Sequence, residues 1–581
     1  MNQADSSCIK ELNTNQLQDS ATLAKCGKKS NSTSTTRAII EKTYSFKDFI
    51  YFCKSNVVEL AISAIFLIIA YGQKAFSNTF SIDTEEMISR SKALYNSWIR
   101  LERFGLLAFK YVTGRYWYNN SLAGILMILA FFASATTWAY LFSKAHNSST
   151  KFHPALFMIP FISAPILAEM LGFLLMGDDV ACALMFVSIS LMCAHNAYQN
   201  RKELKTLLAY ALVAFVFAVF GFTLYLAMTT VFIAGTAMIA LMVKGSYACK
   251  FKNIVAYVFT YICVFIASYA CYAILNKIVI ATNHTFVDPY IKEQMRWGKD
   301  PISTIIHAIL SHAKSMYLGR TIFHSVFITI ALIALVLLII VQVIRKKLNA
   351  FTIIFAIAIA ASPMMMSVIL GTSGIARTEL TYPLAGAFAC MYLLHYIMQF
   401  SKKTLTTIIA CVLLAIIGLS QSFTVNRLYY TEYMTYNQDY YIAQDVARRI
   451  EAIQANHKNP LKVVFVGNHI ADYNPSEFKS DQLELIGRSM FEIGFSTTHG
   501  TWVKTGFIRS ATGFKMETPV LASAYTNAEK AVQNLPSWPS NKCTTVLDNK
   551  YIVVKFCFNL VTWAMLRFHI NLSNIFAHNA D

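Results

Sequence analysis

Asp83, Glu85 and Glu86 stand close together in SNTFSIDTEEMISRSK (77–92), directly after an apolar run that ends at Phe76. Clustered carboxylates there suit three chemistries: a general base, ligands for a metal ion, or the acidic first turn of a solvated helix. Glu169 is a second candidate. It lies in SAPILAEMLGF, an otherwise apolar stretch, where a carboxylate costs at least about 2.5 kcal/mol unless it faces a cavity or a partner. Hard cations prefer carboxylates, so a divalent cation, Mg or Mn, between Asp83, Glu85 and Glu169 is one reading of the set. Asp178 and Asp179 follow, and GIARTELTYPL adds Arg377 and Glu379. His284, His312 and His324 are scattered and read as loop or packing residues. Tyr116, Trp117, Tyr118 and Trp297 read as anchors at a membrane interface.

The elements that must position these residues are set by composition. Of 581 residues, 56% are hydrophobic and only 14% charged, and the mean hydropathy is +0.46. Apolar runs near 20 residues recur, the length that crosses a roughly 30 Å hydrocarbon core. They fall near 56–76, 119–142, 155–176, 180–197, 206–222, 225–243, 254–276, 321–344, 351–370, 383–400 and 404–421. The expected fold class is mainly α: a polytopic helical membrane protein of about eleven transmembrane helices with a small α/β domain at its C-terminal end. The net charge of +19 does not point to nucleic acid, because Lys and Arg sit in short clusters between spans. Those clusters share one side if the N-terminus is cytoplasmic.

On that topology, residues 1–47 form a disordered cytoplasmic tail and 48–421 the membrane domain, with outer loops 77–118 and 277–320. Residues 422–557 form an extracytoplasmic α/β domain and 558–581 a C-terminal tail. Within the α/β region, 437–456 reads as an amphipathic helix, LKVVFVG as a buried strand and TTVLDNKYIVVKF as a hairpin turning at Asp548-Asn549. VVFVGN lacks a full dinucleotide-binding glycine pattern. In the first outer loop, Leu101, Phe104, Leu107 and Ala108 recur at helical spacing and predict a helix lying along the interface. Most Cys lie in apolar runs; Cys543 and Cys557 are a candidate disulfide pair.

The spans themselves carry almost no charge, whereas a transporter places ionisable groups in mid-membrane. The polar residues gather at outer span ends, which suits an enzyme taking its substrate from a lipid. SIDTEEM, NSWIRLERFGLLAFKYVTG and SAPILAEMLGFLL, with YYIAQDVARRI, VVFVGN and IVVKF further on, resemble the bacterial type II glucosyltransferases of serotype conversion (GtrII-like), over roughly residues 50–556. The resemblance implies a GT-C-type membrane glycosyltransferase at the cell membrane. Its donor would be a polyprenyl-phosphate-linked sugar and its acceptor a surface glycan, as in O-antigen modification. It also implies an acidic base in the first outer loop, which is Asp83 here, with Glu85 and Glu169 as further catalytic candidates. Arg103 and Arg377 are the candidates for holding the donor phosphate. The competing classes are a transporter or flippase of lipid-linked saccharide and a surface-polysaccharide polymerase.

Overall fold

The computed structural model describes residues 43–146, 151–400, 404–494 and 496–557. Most of the two expected tails, 1–47 and 558–581, lies outside the described residues. The chain is a polytopic helical membrane protein with one small sheet. Among the described residues, eight helices are long and apolar enough to cross a bilayer: Val57–Phe76, Asn120–Ala145, Gly177–Gln199, Leu204–Leu224, Phe251–Thr282, Val326–Ile344, Phe351–Leu370 and Thr404–Gln454. A shorter apolar helix, Met228–Lys244, and the 20-residue helix Thr381–Phe400 pack among them. Small residues let the helices approach closely. A Cβ on Gly124 would come within 2.6 Å of the Ala75 carbonyl oxygen, and one on Gly235 within 2.9 Å of the Trp138 ring.

The segment 155–176, expected as a single span, is broken. It forms Ala155–Ile162 and Pro165–Leu171, with Ala164 extended between them. Pro165 offers no N–H, and its ring drives the preceding residue out of helical conformation. Both half-helices are buried throughout, as non-spanning backbone at membrane depth must be. The Ser163 hydroxyl at the break donates to the Ile159 carbonyl at 2.8 Å and lies 2.9 Å from Gln421 Oε1.

A second difference concerns the interface helix. Phe104–Val112 is helical but packs into the protein, with Leu106 and Lys110 as its buried residues; Leu107 is half-buried and Ala108 exposed. Lys110 Nζ pairs with Asp179 at 2.7 Å, and Arg115 pairs with both Asp178 and Asp179. Apolar spacing missed this because the buried face is held by charge.

The expected span 404–421 and the amphipathic helix 437–456 are one continuous 51-residue helix, Thr404–Gln454, about 76 Å long at 1.5 Å per residue. It leads into a sheet ordered β1-β3-β2. Strand β1 (Lys462–Val466) runs parallel to β3 (Tyr551–Lys555), and β2 (Thr544–Leu547) antiparallel to it. The hairpin turns where expected, and Asp548 and Asn549 both adopt positive φ, which a two-residue turn of matching twist requires. Cys543 and Cys557 are both free thiols.

Candidate active site

The helix Thr84–Arg100 begins at Asp83, whose φ of 73° lies in the left-handed region. Asp and Asn are among the few residues with side chains that tolerate this conformation. Asp83 occupies the capping position, yet its side chain makes no cap hydrogen bond. It is solvent-exposed, and the protein around it still desolvates it enough to push its carboxyl above the usual range; Arg377 and Arg103 pull the other way.

The two arginines whose charges act on Asp83 come from distant parts of the chain. Arg103 caps the start of Phe104–Val112. Gly105 lets this helix lie hard against Thr223, where a Cβ would clash, and so brings Arg103 beside Tyr225. Its guanidinium sits 5.4 Å above the Tyr225 ring and donates to Met176 Sδ at 3.7 Å. Arg377 lies in the short 3₁₀ turn Ala376–Thr378. Its backbone carbonyl accepts a hydrogen bond from the Tyr225 hydroxyl at 3.3 Å, so Tyr225 ties the two arginines together. Arg377 Nη2 donates to the Tyr290 hydroxyl at 3.4 Å, and Nη1 stands 4.0 Å from Glu484. Both arginines are half-buried. A guanidinium carries five donors, so both keep capacity for an anion.

Glu484 carried no signal in the sequence; it lies in the loop between β1 and the helix Thr497–Thr512. The Ala376 amide donates to its carboxylate at 2.8 Å, which pins the turn bearing Arg377. Tyr225 and Tyr290 were likewise missed, because an isolated aromatic near a span end reads as an anchor.

The remaining expected site residues are placed differently. Glu85 is buried, packed on Gly506, where a Cβ would come within 2.9 Å of Glu85 Cγ. Burial pushes its carboxyl well up, and the neighbouring charge of Asp83 adds to this. Glu169 is fully buried and accepts the Leu485 and Ile486 amides at 2.9 and 3.2 Å. It latches the half-helix Pro165–Leu171 to the loop that carries Glu484. Among the described residues, no three His, Cys, Asp or Glu are grouped to hold a metal ion, so Asp83, Glu85 and Glu169 do not form a shared cation shell. Glu86 stays half-exposed, 3.6 Å from Arg90 one turn on.

His312 and His324, expected as ordinary packing residues, converge on Glu379. His324 Nε2 lies 2.9 Å from one carboxylate oxygen and His312 Nε2 2.6 Å from the other. The Thr321 hydroxyl meets the remaining His324 nitrogen at 2.6 Å. Burial opposes charge on Glu379, but hydrogen bonds from the two histidines outweigh it and hold the carboxyl below the usual range. Gly374 makes room, since a Cβ there would strike the carboxylate.

The family model for glucosyl transferase GtrII matches residues 74–394. The chain belongs to this glucosyltransferase family. The GtrII match contains Asp83, Glu85, Arg103, Glu169 and Arg377, while Glu484 lies beyond it. No match was found among curated proteins or among solved structures. As a GtrII member the chain is a membrane glucosyltransferase with a sugar donor and a glycan acceptor.

Proposed function

We propose that this glucosyltransferase takes its sugar from a polyprenyl-phosphate carrier and adds it to a surface glycan on the extracytoplasmic side, by GT-C-type chemistry with Asp83 as base. The observation that carries the reading is Asp83 itself: uncapped, held in a left-handed conformation, open to solvent and under the charges of Arg377 and Arg103. In the proposed step the acceptor hydroxyl attacks the anomeric carbon while its proton passes to Asp83. The bond from that carbon to the phosphate oxygen breaks, and its electron pair leaves with the phosphate. One base suffices, no covalent intermediate forms, and the anomeric configuration inverts. The two guanidiniums offer forked donors to the leaving phosphate, whose charge grows as the bond breaks. Glu484 and Tyr290 orient Arg377, and Glu85 and Glu169 act as buried packing and latching groups rather than as the base.

The test supplies membrane vesicles containing the protein with polyprenyl-phosphate glucose or with nucleotide glucose, and measures glucose reaching the glycan. Transfer from the lipid donor alone supports the reading; transfer from the nucleotide sugar with no lipid intermediate overturns it. Chemical analysis of surface glycan from cells with and without the protein checks the acceptor side. Loss of a branch sugar fits transfer, and loss of whole chains favours a polymerase.

A further inference from the structure

A cavity of about 430 Å³ opens at the same end of the helical bundle, on the other side of the Glu379 cluster. This volume lies in the range of about 300–1,000 Å³ typical of small-molecule sites. Its walls come from Pro165 at the break in the buried helix pair, from the loop before Val326–Ile344, from one turn and more of the long helix, and from Phe478. Thr321, Ser325, Ser420, Gln421 and Thr424 supply hydroxyl and amide groups, and Phe423 and Phe478 supply aromatic faces. No carboxylate lines it. The two basic residues of the lining are both engaged: His324 with Glu379, and Arg427 with the carbonyls of Pro475, Ser476 and Glu477, stacked 4.1 Å above Phe478.

We infer that this cavity binds a neutral saccharide unit. Hydroxyls both donate and accept, so a wall of them can match the alternating polarity of sugar hydroxyls without selecting charge. Phe423, an exposed ring in the lining, offers a flat apolar face for the C–H side of a pyranose ring. Gln421 Nε2 is buried without a hydrogen-bond partner, and a lipid chain in the cavity would leave it so, which is unfavourable. The cavity is joined to the turn that bears Arg377 through short contacts. His324 lines it and reaches Glu379, and Glu379 follows Arg377 by two residues on the same turn. The half-helix that starts at Pro165 carries Glu169, whose loop partners Leu485 and Ile486 directly follow Glu484. A sugar seated here therefore lies against the wall that also positions Arg377. The inference rests on the family's transfer activity and is independent of Asp83 being the base.

The saccharide comes either from the glycan acceptor or from the lipid-linked donor, and photocrosslinking separates the two. Benzoylphenylalanine is placed at Ser420 or, separately, at Thr424 in the full chain, within membranes that hold surface glycan and polyprenyl-phosphate glucose. Ile409, exposed on the same helix about 16 Å from Ser420 and about 22 Å from Thr424 at 1.5 Å per residue, serves as the control position. Irradiation of Asp83→Asn protein, in which transfer is expected to stop, keeps binding apart from catalysis. The expected result is a carbohydrate adduct from Ser420 and Thr424 at least tenfold above that from Ile409, in both backgrounds. Loss of the adduct on glycan removal identifies the acceptor, and loss on donor removal identifies the lipid-linked sugar. Adducts to phospholipid or prenyl chain without carbohydrate, or none above the control, overturn the inference even if Asp83→Asn abolishes transfer.

Discussion

Asp83 and Glu379 sit at one end of the same helical bundle, and their surroundings are opposite. Glu379 is enclosed and grasped at both oxygens by histidines at 2.6 and 2.9 Å. Asp83 is open to solvent and takes no part in capping the helix it begins. Both carboxyls are desolvated, but the histidines win at Glu379 and lower its pKa, while burial wins at Asp83 and raises it. A charge held that firmly stabilises a fold and cannot readily take up a proton. A carboxyl left reachable, strained and under-partnered costs stability and is free to act. The difference separates a structural acid from a candidate base more sharply than sequence position does.

The largest expected effect breaks the comparison at Asp83. Asp83→Asn keeps shape and removes the proton acceptor, so transfer should fall about 10²–10⁴-fold. Asn tolerates the left-handed backbone as Asp does. The Asp83 carboxyl titrates higher in the folded protein than its ordinary value, so above that ordinary value its charge disfavours the fold. The neutral variant should then be as stable as the parent at neutral pH, or slightly more so. Sugar incorporation into glycan, normalised to membrane protein level, measures this; normal transfer by the variant moves the base elsewhere.

Glu379→Gln should do the reverse. It leaves two buried histidines without their anion, a disruption of the kind that costs about 3–5 kcal/mol when a buried pair loses one member. Thermal unfolding in detergent should show the loss, and any transfer deficit should scale with folded protein. A variant that folds normally but transfers poorly would promote Glu379 from a structural group to a working one.

Lys110→Gln comes next. Lys110 is buried against Asp179, so its removal should destabilise by about 1–3 kcal/mol, within the range for a lost charged hydrogen bond. Leu107→Ala, at a half-buried position, should cost less. The opposite order in unfolding midpoints would return Phe104–Val112 to the role of a loosely attached interface helix.

Much of the bundle was legible because the bilayer imposes length and apolarity together. Ten of the eleven expected runs are carried by apolar helices, and the exception failed where Pro165 breaks the backbone. The hairpin was legible from Asp548-Asn549, whose positive φ values match their chemistry. The continuity of Thr404–Gln454 was not legible, since the change from apolar to amphipathic character suggested two elements where the backbone makes one. At the site, the candidate base and the two candidate arginines are far apart in the chain, and the fold brings them close enough for both charges to act on Asp83. Glu484 and the two histidines on Glu379 were hidden for one reason: long-range convergence leaves no periodic trace in sequence.

The smallest effect tests whether the arginines act on Asp83 or on the phosphate alone. A base works only when deprotonated, so transfer should decline as pH falls through the carboxyl's value in the site. Burial raises that value and Arg377 and Arg103 lower it. Arg377→Gln removes one lowering charge and leaves the burial, so the acid limb of the pH–rate profile should move to higher pH. Arg377→Lys keeps the charge but loses the fork; its limb should stay near the parental position while the rate drops. The two variants therefore separate charge from geometry when transfer is followed from pH 4 to 8 with donor in excess. Should Arg377→Gln lower the rate uniformly without moving the limb, Arg377 touches only the phosphate, and the contrast between the open carboxyl and the clamped one rests on Asp83 and burial alone.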